Sequence, residues 1–118
     1  MSKKQILLIN DMAGYGKVAT AAMLPILSYF GHPTYNLPTA LVSYTLDYGK
    51  FNILDTTDYI QGVFPVWKAL GFRFDVIATG FIVSERQASI VSRYCLEQAE
   101  TGTTIFVDPI MGDEGKLY

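Results

Sequence analysis

Three short apolar runs constrain this chain more than any other feature. Residues 5–10, 74–78 and 104–107 are of strand length and lack polar alternation, as strands buried on both faces of a parallel sheet do. Helical patterns separate them. Residues 18–30 are rich in Ala, Leu and Met and read as a helix, kinked at Pro25 and ended by Gly31-His32-Pro33. Asp58 opens a second helix, with Gln61 as its capping-box partner. Ile60, Val63, Phe64, Trp67 and Leu70 recur there at core-face spacing, and Gly71 closes the helix. Ser84-Glu85-Arg86-Gln87 is a capping box for a third helix, which runs to about residue 100 before Gly102. Residues 34–37 read as one more short strand, ended by Pro38, and 41–43 are strand-like. Asp47-Tyr48-Gly49 has the composition of a turn or flap tip. Strand and helix therefore alternate, which predicts an α/β fold: a parallel sheet with right-handed crossovers in three α/β/α layers.

Composition removes several function classes. Half of the 118 residues are apolar and 14% are aromatic, which excludes disorder and fits one domain or part of a larger one. The net charge is −2 and no Lys/Arg run exceeds two residues, so neither a nucleic acid nor an anionic membrane is an expected partner. The apolar run after Lys3-Lys4 is too short for a signal peptide, and no stretch is long enough to span a bilayer. A single cysteine, Cys95, fits a cytoplasmic protein without internal disulfides, and reads as a buried helix residue rather than a nucleophile. His32, the only histidine, reads as a loop or helix-end residue. Trp67 reads as core.

Ligands of open parallel sheets bind beyond the carboxyl ends of the strands. There the sequence places Asn10, Asp11, Gly14 and Gly16 after the first strand. Thr79, Gly80 and Phe81 follow the third, and Asp108, Gly112, Asp113 and Glu114 follow the last. Carboxylates of this kind hold Mg²⁺ together with water and substrate phosphates. Glycines let backbone approach a phosphate or a ring. The competing reading of Asp11 and Asp113 is as caps of turns or helices. Gly14-Tyr15-Gly16-Lys17-Val18-Ala19 fits a permissive dinucleotide fingerprint, but residues 36–42 lack the acid that should end the second strand. A P-loop is excluded, since Val18 follows Gly16-Lys17 and no glycine stands five residues before Gly16.

Asp108-Pro109-Ile110-Met111-Gly112-Asp113, with Gly115-Lys116-Leu117-Tyr118, resembles the D-P-V-M-G-D…G-x-x-Y signature of pyridoxal and pyridoxamine kinases, in the ribokinase-like superfamily. Asn10-Asp11 with Gly14-Tyr15-Gly16, and then Ala21, Ala22, Leu24 and Pro25, is similar to that family's first loop and helix. Pro38-Thr39-Ala40-Leu41-Val42-Ser43 is similar to its second segment, and Thr79-Gly80-Phe81 to its T-G-[YF] turn. The D-P-x-M-G-D motif is shared with hydroxymethylpyrimidine kinases. The resemblance spans nearly the whole chain and implies the N-terminal, substrate-binding half of a kinase domain, residues 1–118 forming a single α/β unit.

The resemblance implies ATP-dependent phosphorylation of the 5′-hydroxymethyl group of a B6 vitamer, with ATP and Mg²⁺ as cofactors and a homodimer as the assembly. Asp11, Gly14, Thr45, Tyr48 and Phe81 would contact substrate, Asp11 through the ring's substituents and Phe81 against the ring. Asp108 and Asp113 would lie by the ATP phosphates and metal, and Tyr118 at the nucleotide's edge. The family's S-N-H-T-x-Y segment reads Ser43-Tyr44-Thr45-Leu46-Asp47-Tyr48 here, without the Asn-His pair. The family's G-T-G-D motif, which carries the anion hole and the aspartate base, has no counterpart in these residues. The 118-residue chain is therefore expected to be inactive alone, and its last strand to present an open edge. A hydroxymethylpyrimidine kinase and a non-catalytic binding or assembly module are the alternatives.

Overall fold

A computed structural model of the chain describes residues 3–44, 49–110, 112–113 and 116–117. Its elements are β1 (Ile6–Tyr15), α1 (Thr20–Tyr29), β2 (Thr34–Tyr44), β3 (Ile53–Asp55), α2 (Thr57–Leu70), β4 (Val76–Thr79), α3 (Glu85–Glu100) and β5 (Thr104–Val107). Two short strands, β6 (Gly112–Asp113) and β7 (Lys116–Leu117), pair with each other. The main sheet has the order β3-β2-β1-β4-β5. Strands β2, β1, β4 and β5 are parallel, as expected. Strand β3 is antiparallel to β2, so the sheet is mixed rather than wholly parallel. Too few residues separate β2 from β3 for a crossover, which needs a dozen or more, so the chain can only fold back. Ser43 N–H donates to the Asn52 carbonyl at 2.9 Å, and Asn52 N–H to Ser43 Oγ at 3.0 Å, closing that return.

Two strands are longer than the sequence suggests. Residues 11–15, expected as a loop, continue β1 as far as Tyr15 alongside β2. Strand β2 also runs through Pro38. The β1–β2 register shifts between Asn10 and Met12, beside the Asn10–Pro38 pair, and β3 pairs only with residues 40–42. The proline thus sits at an irregularity, where a missing N–H is tolerated, and its carbonyl accepts the Thr56 hydroxyl.

The core lies between the sheet and the pair α2/α3. Leu7, Ile9, Leu37 and Ile77 of the sheet meet Ile60 and Phe64 of α2 and Val91, Tyr94 and Cys95 of α3. The Phe64 and Tyr94 rings stack with centroids 3.9 Å apart. Trp67 packs against this cluster, as expected, beside Phe64 and Phe74. Helix α1, which contains Pro25, lies against β1 and β2 and leaves Ile26, Tyr29 and Phe30 largely exposed. Strand β5, read from sequence as buried, occupies the sheet edge with Phe106 63% and Val107 61% exposed. This fits the expected open edge.

The two capping boxes fare differently. Ser84 Oγ accepts the Gln87 N–H at 3.1 Å, as expected. Gln87 does not reach back to Ser84; its Oε1 accepts the Val83 N–H, and its Nε2 donates to the Thr39 carbonyl at 2.9 Å and to Thr57 Oγ1 at 3.2 Å. The Asp58–Gln61 box does not form. The Asp55 carboxylate instead accepts the Thr57 N–H at 2.8 Å, while Asp58 and Gln61 both receive Arg86 Nη2, at 2.8 and 2.7 Å.

Candidate ligand site at the carboxyl edge of the sheet

From β1 the chain moves through β2 to β3 on one side, then returns to place β4 and β5 on the other. The connections leaving β1 and β4 therefore diverge to opposite faces. The crevice between these two strand ends is the topological switch point, where open α/β sheets bind ligands.

Asn10 organises this crevice. Gly80 N–H donates to the Ile9 carbonyl at 2.9 Å, and Asp108 N–H to the Thr79 carbonyl at 3.0 Å, so the ends of β1, β4 and β5 lie in one row. The Asn10 side chain is 8% exposed. Its Oδ1 accepts the N–H of Asp11 and the N–H of Phe81, each at 2.9 Å. One carboxamide thus holds both segments proposed to contact substrate. Gly80 permits this approach, since a Cβ there would lie 2.2 Å from Asn10 Nδ2. The sequence places Asn10 on this edge, but its clamping role depends on a partner far along the chain.

The expected site residues are distributed as follows. Asp11 is half-buried beside the crevice, and this burial raises its carboxyl pKa, its backbone hydrogen bond opposing the shift. Phe81, also half-buried, is fixed through its backbone. Asp108 follows β5 in the same row with its side chain exposed, and its carbonyl accepts the Ile110 N–H at 2.9 Å. Gly14 lies within β1 rather than in a loop; a Cβ on it would come 3.2 Å from the Ser43 carbonyl oxygen, so it allows close strand approach. Asp113 is paired through its backbone with Lys116 across β6 and β7. Thr45, Tyr48 and Tyr118 lie outside the described residues.

Among the described residues no group of three or more His, Cys, Asp or Glu could hold a metal ion. Mg²⁺ bound through a single carboxylate, water and nucleotide phosphates needs no such group, and the exposed Asp108 suits that mode. The dinucleotide fingerprint fails structurally, because Gly14 is inside a strand and α1 begins only at Thr20. His32 is structural: its Nδ1 accepts the Lys4 N–H at 3.0 Å. Burial pushes the Cys95 thiol up to about 11, consistent with an inert core residue. Among the described residues no helix is long and apolar enough to cross a membrane.

No family model matches the sequence, nor does any curated protein. Solved structures do. A Bacteroides thetaiotaomicron protein assigned as a phosphomethylpyrimidine kinase, crystallised with pyridoxal, is 38% identical over 99% of this chain and 41% of its own, with a TM-score of 0.91. The chain has the ribokinase-like fold of the pyridoxal kinases. Lactobacillus plantarum pyridoxal kinase shares 28% identity over 99% of this chain and 42% of its own, with a TM-score of 0.86. Leishmania donovani pyridoxal kinase, in complex with ADP and pyridoxamine, covers 97% of this chain and 43% of its own, at 22% identity and a TM-score of 0.81. The chain therefore spans well under half the length of the kinases it matches. Within that span, the ribokinase-like fold places Asn10-Asp11, Gly80-Phe81 and Asp108 on one edge.

Proposed function

We propose that this chain is the substrate-binding part of an ATP- and Mg²⁺-dependent kinase that phosphorylates the 5′-hydroxymethyl group of a B6 vitamer. The observation that carries this reading is the clamped crevice: Asn10 fixes Asp11 and Phe81 at the switch point, in a chain 38% identical to a protein crystallised with pyridoxal. Phe81 offers a ring to the pyridine face. Asp11 hydrogen-bonds the ring's polar substituents, accepting when ionised and donating when protonated. Gly14, Thr45 and Tyr48 complete the substrate side. Asp108 and Asp113 lie beside the nucleotide phosphates and Tyr118 at the nucleotide's edge. Mg²⁺ bound there neutralises phosphate charge during transfer. The residues named here bind and orient substrate; the base and anion hole belong to the part of the kinase domain that this chain does not cover, so the chain alone is inactive. A homodimeric, cytoplasmic enzyme completes the proposal.

The D-P-x-M-G-D motif shared with hydroxymethylpyrimidine kinases, beside the Bacteroides protein's assignment as a phosphomethylpyrimidine kinase, favours a hydroxymethylpyrimidine as a second substrate class. Calorimetric titration of the chain with pyridoxal and with 4-amino-5-hydroxymethyl-2-methylpyrimidine separates the two. Tighter binding of pyridoxal, weakened about tenfold or ~1.4 kcal/mol by Phe81→Ala, supports the first reading. Preference for the pyrimidine reverses the order, and binding of neither refutes both. Turnover of ATP by the 118 residues alone would refute the division of labour.

A further inference from the structure

The opposite edge of the sheet, where the parallel strands begin, carries a second hollow. Its volume is about 500 Å³, in the range of small-molecule sites. Tyr35 of β2, Trp67 of α2, and Phe72 and Phe74 from the segment entering β4 line it, together with Gln5 and Arg73. Tyr35 and Trp67 each place a ring centroid 5.6 Å from that of Phe74. Phe74 belongs to the core, but Tyr35 and Phe72 leave 43% and 49% of their surface open. Two features keep the hollow uncovered. Gly71 ends α2 in the left-handed region, at φ 73°, and turns the chain at Phe72-Arg73. Strand β3 pairs only with residues 40–42 and never reaches Tyr35.

Its charge is one-signed. Among the described residues Arg73 is the only charged one in the lining. Among the described residues Arg73 has no carboxylate partner; Nη2 donates to the Thr101 carbonyl at 3.3 Å. A guanidinium stays protonated at any working pH, so the hollow presents a permanent cation beside aromatic surface. A polar cavity of about 340 Å³ adjoins it and shares Gln5, Arg73 and Phe74. The acid there, Asp75, already accepts the Gln5 N–H at 2.8 Å and disfavours an anion on that side.

We propose that this hollow binds a planar aromatic anion, a ring bearing a carboxylate or phosphate, at a site separate from the candidate kinase edge. The aromatic residues supply stacking surface and Arg73 supplies the paired charge, with bidentate geometry available to either anion. The two sites lie at opposite edges of the sheet, so one ligand does not displace the other. The proposal does not depend on the B6 reading.

Trp67 is the chain's only tryptophan, and it lines the hollow, so its emission reports occupancy directly. The chain is titrated with phenyl phosphate, benzoate and uncharged benzyl alcohol. The expected result is a saturable emission change with both anions, at least tenfold weaker binding with benzyl alcohol, and a similar loss in Arg73→Gln. Tyr35→Leu, which keeps apolar bulk but removes a ring, should weaken both anions with circular dichroism unchanged. If Arg73→Gln does not fold, Arg73→Lys serves, with affinity between those of the parent anion and the neutral probe. Equal binding of benzyl alcohol and benzoate, unchanged binding in the Arg73 variants, or no saturable change up to millimolar ligand would overturn the proposal. So would an emission change that follows protein concentration instead of ligand, since a second copy would then cover the hollow.

Discussion

Gly80→Ala tests the Asn10 clamp directly. Gly80 lies outside the left-handed region, so the backbone itself admits alanine. The obstacle is the Asn10 carboxamide, whose Nδ2, Cγ and Oδ1 lie 2.2, 2.4 and 2.6 Å from the position of the new Cβ. A flexible surface side chain would step aside cheaply. Asn10 is 8% exposed and holds two backbone N–H groups, so moving it breaks the bonds to Asp11 and Phe81. Overpacking costs about 1–3 kcal/mol, and the two released bonds about 1 kcal/mol each. Alanine recovers about 0.4–1 kcal/mol by restricting the unfolded chain. The net expectation is a loss of about 2–5 kcal/mol, read from urea unfolding as a lower midpoint at unchanged slope. The cause is isolated by a double-mutant cycle with Asn10→Ala. Once the carboxamide is gone the three atoms that crowd the added methyl are gone with it, and the two losses should fall short of additivity by about 1 kcal/mol or more. Additivity within about 0.5 kcal/mol would refute the clamp as the reason for glycine at this position.

Three further outcomes follow from the same structure. Gln87 is fully buried and bonds Val83, Thr39 and Thr57, so Gln87→Leu should cost about 2–4 kcal/mol in urea unfolding by leaving polar groups unpaired. Ala19 sits at φ 50°, ψ −124°, a conformation suited to glycine, so Ala19→Gly should raise stability by about 1 kcal/mol in thermal unfolding. Burial raises the folded-state pKa of Asp11 above its ordinary 3.8; the folded state then binds more protons, and stability falls as pH rises through that window. Asp11→Asn should therefore exceed the parent in stability near neutral pH, with the difference vanishing below pH 3.8, as pH-dependent urea midpoints would show.

Much of this architecture was legible because the strands β1, β4 and β5 announce themselves as apolar runs, helix α2 as a spaced apolar face, and helix α3 through its Ser84 cap and closing Gly102. The polar ends of the strands, with Asp11, Phe81 and Asp108, fall on one edge of the sheet, as the order of elements implies. What escaped depends on distant partners. Strand β3 is three exposed residues, Ile53, Leu54 and Asp55, with no apolar alternation, and exists because β2 offers it an edge. Pro38 reads locally as a break, yet the irregular β1–β2 register accommodates it. The expected Asp58 cap fails because α2 already begins at Thr57, whose N–H the Asp55 carboxylate accepts, and the Asp58 carboxylate is taken by Arg86. Asn10 carries no local sign that its amide will reach Phe81, 71 residues away.

The register shift between Asn10 and Met12 divides the sheet into parts of unequal cohesion. Up to Ile9, β1 lies between β2 and β4, with Leu7 and Ile9 wholly inside. Beyond it, among the described residues, 12–15 pair only with β2; the small Ala13 and Ala40 are buried there, whereas Tyr15 is 70% and Leu41 44% exposed. Separating this outer pair uncovers little apolar surface, so it can open without unfolding the rest, and its amides should exchange with solvent long before those of residues 7–9. Asp11 stands at the seam. A ligand that grips Asp11 together with the outer pair must quench this fluctuation as it binds, and the entropy of that ordering is deducted from its affinity.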